Sequence, residues 1–111
     1  MKKFMAVYLG SGEKMRNWKP DEATMKKGME AWSKWATDNA KVIADQGSPL
    51  GKTKRVDQNG ISDIRNEMGA YTVVQAESHE AAAKLFLNHP HFTIFPGERV
   101  EVMECLPMPK M

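Results

Sequence analysis

Apolar residues fill both alternating faces of a short segment near the N-terminus. Over residues 3–9, one face of an extended chain would carry Phe4, Ala6 and Tyr8, and the other Met5, Val7 and Leu9. A strand that is apolar on both faces lies in the middle of a sheet that is covered on both sides. The pattern therefore predicts a buried central strand.

A helical period follows after a loop over residues 10–17. Apolar residues recur at spacings of three and four as Met25, Met29, Trp32, Ala36, Ala40 and Ile43. Such a stripe is typical of one buried helix face. Pro20 suits the first helical turn and Gly47 supplies a stop. The pattern predicts a helix of about 25 residues, which is long for a small domain.

The remainder of the chain predicts a hairpin, two strands and a second helix. Residues 48–64 contain Asn59-Gly60 between extended runs, a strong hairpin signal. Residues 69–77 are rich in β-branched and aromatic side chains, and residues 99–106 form a last strand. Between them, Ser78 is placed to cap a helix that Pro90 ends.

The order β-α-β-β-α-β predicts an α+β, ferredoxin-like fold over a single domain, residues 1–111. Right-handed crossovers place both helices on one face of a four-stranded antiparallel sheet. The helix-free face would then leave apolar side chains of the first strand in water, and an exposed apolar patch marks an interface. We therefore expect a homodimer that pairs through this sheet face.

Charge and composition narrow the partners and the compartment. The 16 basic and 14 acidic residues are interspersed, which argues against a nucleic-acid-binding surface. One cysteine excludes an internal disulfide, and no apolar run is long enough to span a membrane. The apolar run after the first lysines is too short for a signal peptide. A cytoplasmic location is expected.

Two histidines, His89 and His91, flank Pro90 in the segment LNHPHF and are the candidates for catalysis. His89 would face the core in the last helical turn, where terminal carbonyls favour it. His91 would lie on a loop, where exposure to water or a hydrogen bond to the backbone is the simpler explanation. Either could carry a proton, because imidazole titrates near neutral pH. A zinc site needs a third protein ligand, and His79 would lie about 15 Å away along the helix, so neither a metal nor a cofactor is predicted.

Four further residues are candidates for lining a ligand pocket. Trp32 lies in the centre of the helical stripe and Trp35 at its edge, where an aromatic wall could form. Ser48 follows the first helix and Tyr71 starts the central strand, so each could offer a hydroxyl. A structural role in the core remains the simpler explanation for both tryptophans.

Four segments of the chain resemble the YCII-related family: MKKFMAVYLG, ADQGSPL, GAYTVVQAESHEAAAKLFLNHPHF and VEVMECLPM. The resemblance implies a dimeric α+β barrel whose subunits pair face to face. A ring-dehalogenating relative implies small aromatic or polar substrates.

Two departures limit what the resemblance carries over. Residues 62–69 read SDIRNEMG where one branch of the family has Asp-Gly-Pro-Phe. Residues 28–36 read GMEAWSKWA and lack the histidine that another branch has early in the first helix. A His–Asp dyad of that kind is therefore not transferred to this chain.

Two functions follow as alternatives. The first is a small-molecule-binding homodimer that acts as a cofactor-independent enzyme, a lyase, isomerase or dehalogenase on a small polar or aromatic substrate. The second is a non-catalytic metabolite-binding or regulatory module. A catalytic role requires a histidine inside the pocket, whereas binding alone does not.

Overall fold

A computed structural model describes residues 1–109 of the chain; residues 110 and 111, part of the predicted domain, lie outside the described residues. In chain order the elements are β1 (Lys2–Leu9), α1 (Gly12–Asn17), α2 (Glu22–Asp38), β2 (Ile43–Asp45), β3 (Thr53–Asp57), β4 (Gly60–Ile64), β5 (Met68–Ala76), α3 (His79–Lys84), α4 (Pro90–Thr93) and β6 (Arg99–Glu104). No helix within residues 1–109 is long and apolar enough to cross a membrane.

The main sheet has four antiparallel strands in the order β2-β5-β1-β6. β1 lies in the centre, as its two-sided apolar pattern predicts, and Met5 pairs with Val73 on one side and Met103 on the other. The ferredoxin-like α+β prediction is confirmed.

The core lies on the helix-covered face of this sheet. Phe4, Ala6 and Tyr8 of β1 are buried there together with Val74 of β5 and Phe86, which follows α3. Trp32 and Trp35 of α2 pack against the same cluster. α2 and α3 therefore cover the same face of the sheet, because alternate residues of β1 and β5 supply a continuous apolar surface for them.

We call the opposite, helix-free side of the sheet the open face. The pairing register places on it the apolar side chains of Met5, Val7, Val73 and Met103, together with polar ones such as Lys3, Gln75 and Glu101. Met5 is 37% exposed and its neighbour Met103 45%. The molecule measures 52 × 40 × 18 Å, and its smallest dimension is close to one sheet plus one layer of helices, at about 10 Å between layers.

The second strand of the main sheet is β2, where the sequence pattern predicts the end of a long helix. α2 ends at Asp38, and Ile43 of the predicted stripe lies in β2. The Gln75 amide donates to the Val42 carbonyl at 2.7 Å. Pairing with β5 therefore replaces continuation of the helix. Pro20 lies outside α2, whose N-cap is Asp21, with its side chain accepting from the Thr24 amide at 2.7 Å.

The buried side of α2 also differs from the predicted stripe. Gly28 and Ala36 are its buried residues, whereas Met29 is 60% exposed. A Cβ on Gly28 would lie 2.7 Å from Cζ of Phe95, so the absence of a side chain lets Phe95 approach. Hydrophobicity alone does not reveal such a contact.

Two short helices occupy segments predicted as loops. Ser11 caps α1, accepting from the Lys14 amide at 3.3 Å. The helix capped by Ser78 is confirmed but ends at Lys84, and Asn88 has a left-handed φ of 57°. Pro90 then begins α4, since proline fits the first position of a helix.

The predicted hairpin exists but stands apart from the main sheet. β3 and β4 form a two-stranded sheet of their own, which we call the arm (residues 53–64). The pair Asp57–Gly60 closes the arm, so its loop residues are Gln58 and Asn59, one position earlier than predicted. Gly60 takes the positive φ, 116°, that this turn requires.

Candidate functional site

A cavity of about 400 Å³ opens between α2 and the helix-covered face of the sheet. We call it the sheet–helix cavity. Its lining is mostly aromatic, aliphatic or small, and contains no lysine, arginine, aspartate or glutamate. The lining residues are Tyr8, Met15, Met29, Trp32, Ser33, Ala36, Gln46, Gly47, Ser48, Pro49, Gly69, Ala70, Tyr71, Thr72, His91 and Phe95.

His91 is the histidine that lines this cavity. It is buried in α4, and its Nε2 lies 2.9 Å from the Leu9 carbonyl oxygen at the end of β1. A carbonyl oxygen only accepts, so Nε2 carries the proton and donates it. In the neutral ring Nδ1 is then the nitrogen with a lone pair. The geometry leaves Nδ1 as the basic atom of His91.

Gly97 is the residue that lets the His91 ring take this position. A Cβ on Gly97 would collide with Cε1 and Nε2 of the ring. The Gly97 amide also donates to the His91 carbonyl at 2.9 Å. The backbone therefore forms a cradle around the imidazole, and only glycine leaves room for it.

His89 is fully buried beside the cavity but does not line it. Its Nδ1 accepts from the His91 amide at 3.0 Å, so the neutral ring carries its proton on Nε2. Within residues 1–109 that Nε2 has no hydrogen-bond partner. Its ring lies 4.5 Å from that of Trp32 at 86° and 4.6 Å from that of Trp35 at 67°. Aromatic faces can accept a weak N–H hydrogen bond in such arrangements.

The aromatic surroundings keep His89 neutral. Burial, and secondarily the proximity of His91, lowers the pKa of His89 from 6.5 to about 4. At neutral pH His89 is therefore uncharged, and it caps α4. Its hydrogen bond instead holds the backbone of His91 in place.

Tyr8 and Thr72 form a hydroxyl pair in the wall of the cavity. The Thr72 hydroxyl donates to the Gln46 carbonyl at 3.2 Å, so Tyr8 donates to Thr72 Oγ1 at 2.9 Å. Burial raises the pKa of Tyr8 to about 12, and the hydrogen bond to Thr72 opposes this only in part. The phenol stays protonated, and its oxygen retains lone pairs that can accept from a ligand.

The structure brings together four of the six predicted site residues. His91, Trp32, Ser48 and Tyr71 all line the sheet–helix cavity. Trp35 does not; its indole N–H donates to the Leu85 carbonyl at 2.8 Å, and its ring packs on Phe86.

The predicted positions of the two histidines need correction. The prediction that His89 lies in the last turn of the second helix is wrong, since it caps the next helix instead. The loop position predicted for His91 is wrong as well, because this residue lies in α4 and Leu9 and Gly97 enclose its ring. Of the two alternatives for its side chain, exposure is wrong and a hydrogen bond to the backbone is confirmed. What either histidine does chemically stays a prediction.

Most of the lining residues were not predicted, among them Tyr8, Thr72 and Phe95. Tyr8 and Thr72 were assigned to buried strands, and the loop residue Phe95 was given no role. Phe95 lines the cavity, with its ring 5.8 Å from Trp32 and 5.2 Å from Trp18. The local signal for Tyr8 and Thr72 is a hydroxyl group within a largely apolar strand. A buried hydroxyl group requires a hydrogen-bond partner, so it indicates a polar contact inside the core.

A larger groove of about 980 Å³ runs between α1 and the base of the arm. Charged residues such as Arg16, Lys52 and Arg65 line it, and none of the predicted site residues does. Among residues 1–109 no group of three or more His, Cys, Asp or Glu side chains could hold a metal ion.

Comparison with known proteins supports the fold. No protein-family model matches the chain, and neither does any curated protein. Among solved structures, 5-chloro-2-hydroxyhydroquinone dehydrochlorinase from Burkholderia phenoliruptrix AC1100, in complex with 2,5-dihydroxybenzoquinone, aligns with 90% of this chain and 89% of its own at TM-score 0.56 and 15% identity. At3g17210 from Arabidopsis thaliana aligns with 100% of this chain and 99% of its own at TM-score 0.47 and 13% identity. The dehydrochlorinase shares the fold, and at this identity the likeness extends to the fold alone.

Proposed function

We propose that this protein is a homodimer that binds a small, uncharged, largely aromatic or apolar molecule in the sheet–helix cavity. The observation that carries the proposal is the lining of that cavity, which combines aromatic walls with few polar atoms and no lysine, arginine, aspartate or glutamate. Its volume of about 400 Å³ lies in the range of small-ligand pockets. A charged ligand would lose its hydration there without gaining an opposite charge.

The proposal extends to the YCII-related type and to a single domain over residues 1–111. Four resembling sequence segments and the shared fold of the dehydrochlorinase support it. The absent Asp-Gly-Pro-Phe motif and first-helix histidine mean that any activity would use other residues. The cytoplasmic location stays a prediction.

The homodimer is supported by the open face. Met5 and Met103 lie side by side across β1 and β6 with their side chains partly in water. Burying large apolar side chains of this kind contributes about 1.5–3 kcal/mol each when it is complete. A second copy that packs open face to open face would supply the missing layer, since an isologous pairing uses the same surface twice.

Native mass spectrometry tests subunit count and retained ligand together. We expect a dimer, and any ligand that survives purification adds its mass. A monomer at micromolar concentration would contradict the homodimer.

A matched pair of fragments tests the charge selectivity of the cavity. Benzamide and benzoate have similar shapes and differ in charge, and binding can be followed by tryptophan fluorescence because Trp32 lines the cavity. We expect benzamide to bind at least about tenfold more tightly. Ala36→Leu should abolish the binding by filling the cavity, whereas Ala83→Leu, on an exposed position of α3, should not. Equal affinity for the two fragments would contradict the proposal.

A second candidate function is cofactor-independent acid–base catalysis with His91 as the base. The hydrogen bond of Nε2 to Leu9 favours it, because this bond fixes the tautomer that leaves Nδ1 free to accept a proton in a largely apolar cavity. A lyase, isomerase or dehalogenase step would use such a base. The dehydrochlorinase of the same fold acts on a chlorinated hydroxyhydroquinone by its name.

The elimination of 5-nitrobenzisoxazole tests this base without knowledge of the natural substrate. Nδ1 would take the ring C–H proton while the N–O bond breaks, which yields a cyanophenolate that is measured by absorbance. His91→Gln keeps an N–H donor for Leu9 and removes the base, so we expect kcat/KM to fall by about 100-fold. Equal rates for the wild type and His91→Gln would leave the non-catalytic binding module as the function.

A further inference from the structure

The arm is exposed over nearly its whole surface. Of its strand residues only Thr53 is partly buried, and the two strands pair with each other alone. A two-stranded hairpin without a third strand or a helix against it is marginally stable in water. The arm therefore lacks within its own chain the packing that would hold it in place.

One face of the arm carries an unusual apolar pair. Val56 and Ile61 lie directly opposite each other across the hairpin and are 73% and 72% exposed. On the same face Lys54 forms an ion pair with Asp63 at 2.6 Å. The charges next to the apolar pair thus compensate each other, which suits an apolar contact better than a strongly charged partner.

The exposed surface of the whole chain exceeds what a monomer of its size exposes. The accessible surface is 8333 Å² for 12.5 kDa, whereas folded monomers of this mass expose about 6,200 Å². The radius of gyration, 15.8 Å, also exceeds the roughly 13 Å of a compact chain of this length. The surplus of about 2,000 Å² is more than twice the 800 Å² that one partner buries in a standard interface.

We propose that the arm docks through Val56 and Ile61 on a second copy of this chain. The inference rests on the proposed homodimer and adds to it a second contact besides the open face. The arm leaves the main sheet between β2 and β5, and β4 ends four residues before β5 begins. It is therefore anchored at one end of the sheet, from which it can reach a neighbouring subunit, and symmetry would make both arms do so.

Two double variants test this contact, and each introduces a pair of threonines on one of the two faces of the arm. Val56→Thr with Ile61→Thr keeps β-branched residues in the strands and removes apolar contact surface. Arg55→Thr with Ser62→Thr is the control, because these two residues pair on the opposite face. Sedimentation velocity over a concentration series should show a dimer dissociation constant at least about tenfold weaker for the first variant. The control should stay close to the wild type.

Photo-crosslinking identifies what the arm contacts. Ile61→Cys in a Cys105→Ser background carries a benzophenone maleimide, and ¹⁴N and ¹⁵N protein are mixed before irradiation. Cross-linked peptides that join the two isotopes would confirm contact with a second copy. Cross-links confined to one chain, or an unchanged dimer constant for the Val56 and Ile61 variant, would overturn the inference.

Failure of this inference is distinguishable from failure of the proposed homodimer. Met5→Arg places a charge on the open face, whereas the arm variants leave that face intact. If Met5→Arg dissociates the dimer and the Val56 and Ile61 variant does not, the open-face interface stands and the arm contact is refuted. If the wild type is monomeric at every concentration, both are refuted.

Discussion

Buried His89, the N-cap of α4, should make the protein lose stability in mild acid. Burial lowers the pKa of His89 from 6.5 to about 4, whereas in the unfolded chain this imidazole binds a proton near pH 6.5. Between these values unfolding takes up one proton, so the free energy of unfolding falls as the pH falls. The stabilisation by neutral His89 is complete above pH 6.5 and is lost progressively toward pH 4.

The size of this decrease in the free energy of unfolding follows from the two pKa values of His89, folded and unfolded. Between pH 7.5 and pH 5 the contribution of this one group decreases by about 2 kcal/mol, and toward lower pH the total approaches about 3 kcal/mol. For a chain of this size such a loss is a large fraction of an ordinary stability of about 5–15 kcal/mol.

Urea unfolding at several pH values and one fixed protein concentration measures the effect. His89→Asn keeps an oxygen that can accept from the His91 amide and removes the titrating ring, so its stability should depend less on pH by the stated amount. His79→Asn, at an exposed histidine, is the matched control and should retain the loss. Parallel pH profiles for the wild type and His89→Asn would refute the assignment of a low pKa to buried His89.

Two further predictions concern the cradle and the two faces of β1. Gly97→Ala should displace the His91 ring, lower the stability by about 1–3 kcal/mol through overpacking and weaken benzamide binding. The control Gly51→Ala, which has open space around its Cα, should change the stability by less than about 0.5 kcal/mol. Thermal unfolding measures the stability and titration the binding, and a Gly97→Ala variant with wild-type stability and affinity would contradict the cradle. Arginine at Met5, a partly exposed residue of the open face, should yield a folded monomer. Arginine at Tyr8 should prevent folding because it buries an unpaired charge. Circular dichroism with sedimentation separates the two outcomes, and a stable dimer carrying either substitution would contradict the assignment of faces.

The elements that could be predicted are those encoded within a few neighbouring residues. The alternation of β1, the β-branched run of β5 and the Ser78 cap all act over spans shorter than ten residues. Asn59-Gly60 likewise placed the hairpin to within one residue. Propensity and capping operate locally, so these signals survive in the sequence.

The elements that were missed depend on partners far along the chain. β2 forms because the Gln75 amide bonds to Val42, and α2 buries Gly28 because Phe95 packs on it. Helix periodicity continues through residue 43 and offers no warning of either contact. Tertiary pairing overrode the local pattern at both positions.

The same division applies to the candidate site. The sequence by itself determined the ferredoxin-like order of elements, the two-sided apolar strand at the centre of the sheet and the presence of two histidines beside a proline. Only the tertiary structure decided that His91, and not His89, lines the cavity. The deciding hydrogen bond joins His91 to Leu9 across 82 positions, and Tyr8 meets Thr72 across 64. Such bonds exist only once the sheet has formed, because the free energy that selects them comes from packing rather than from local propensity.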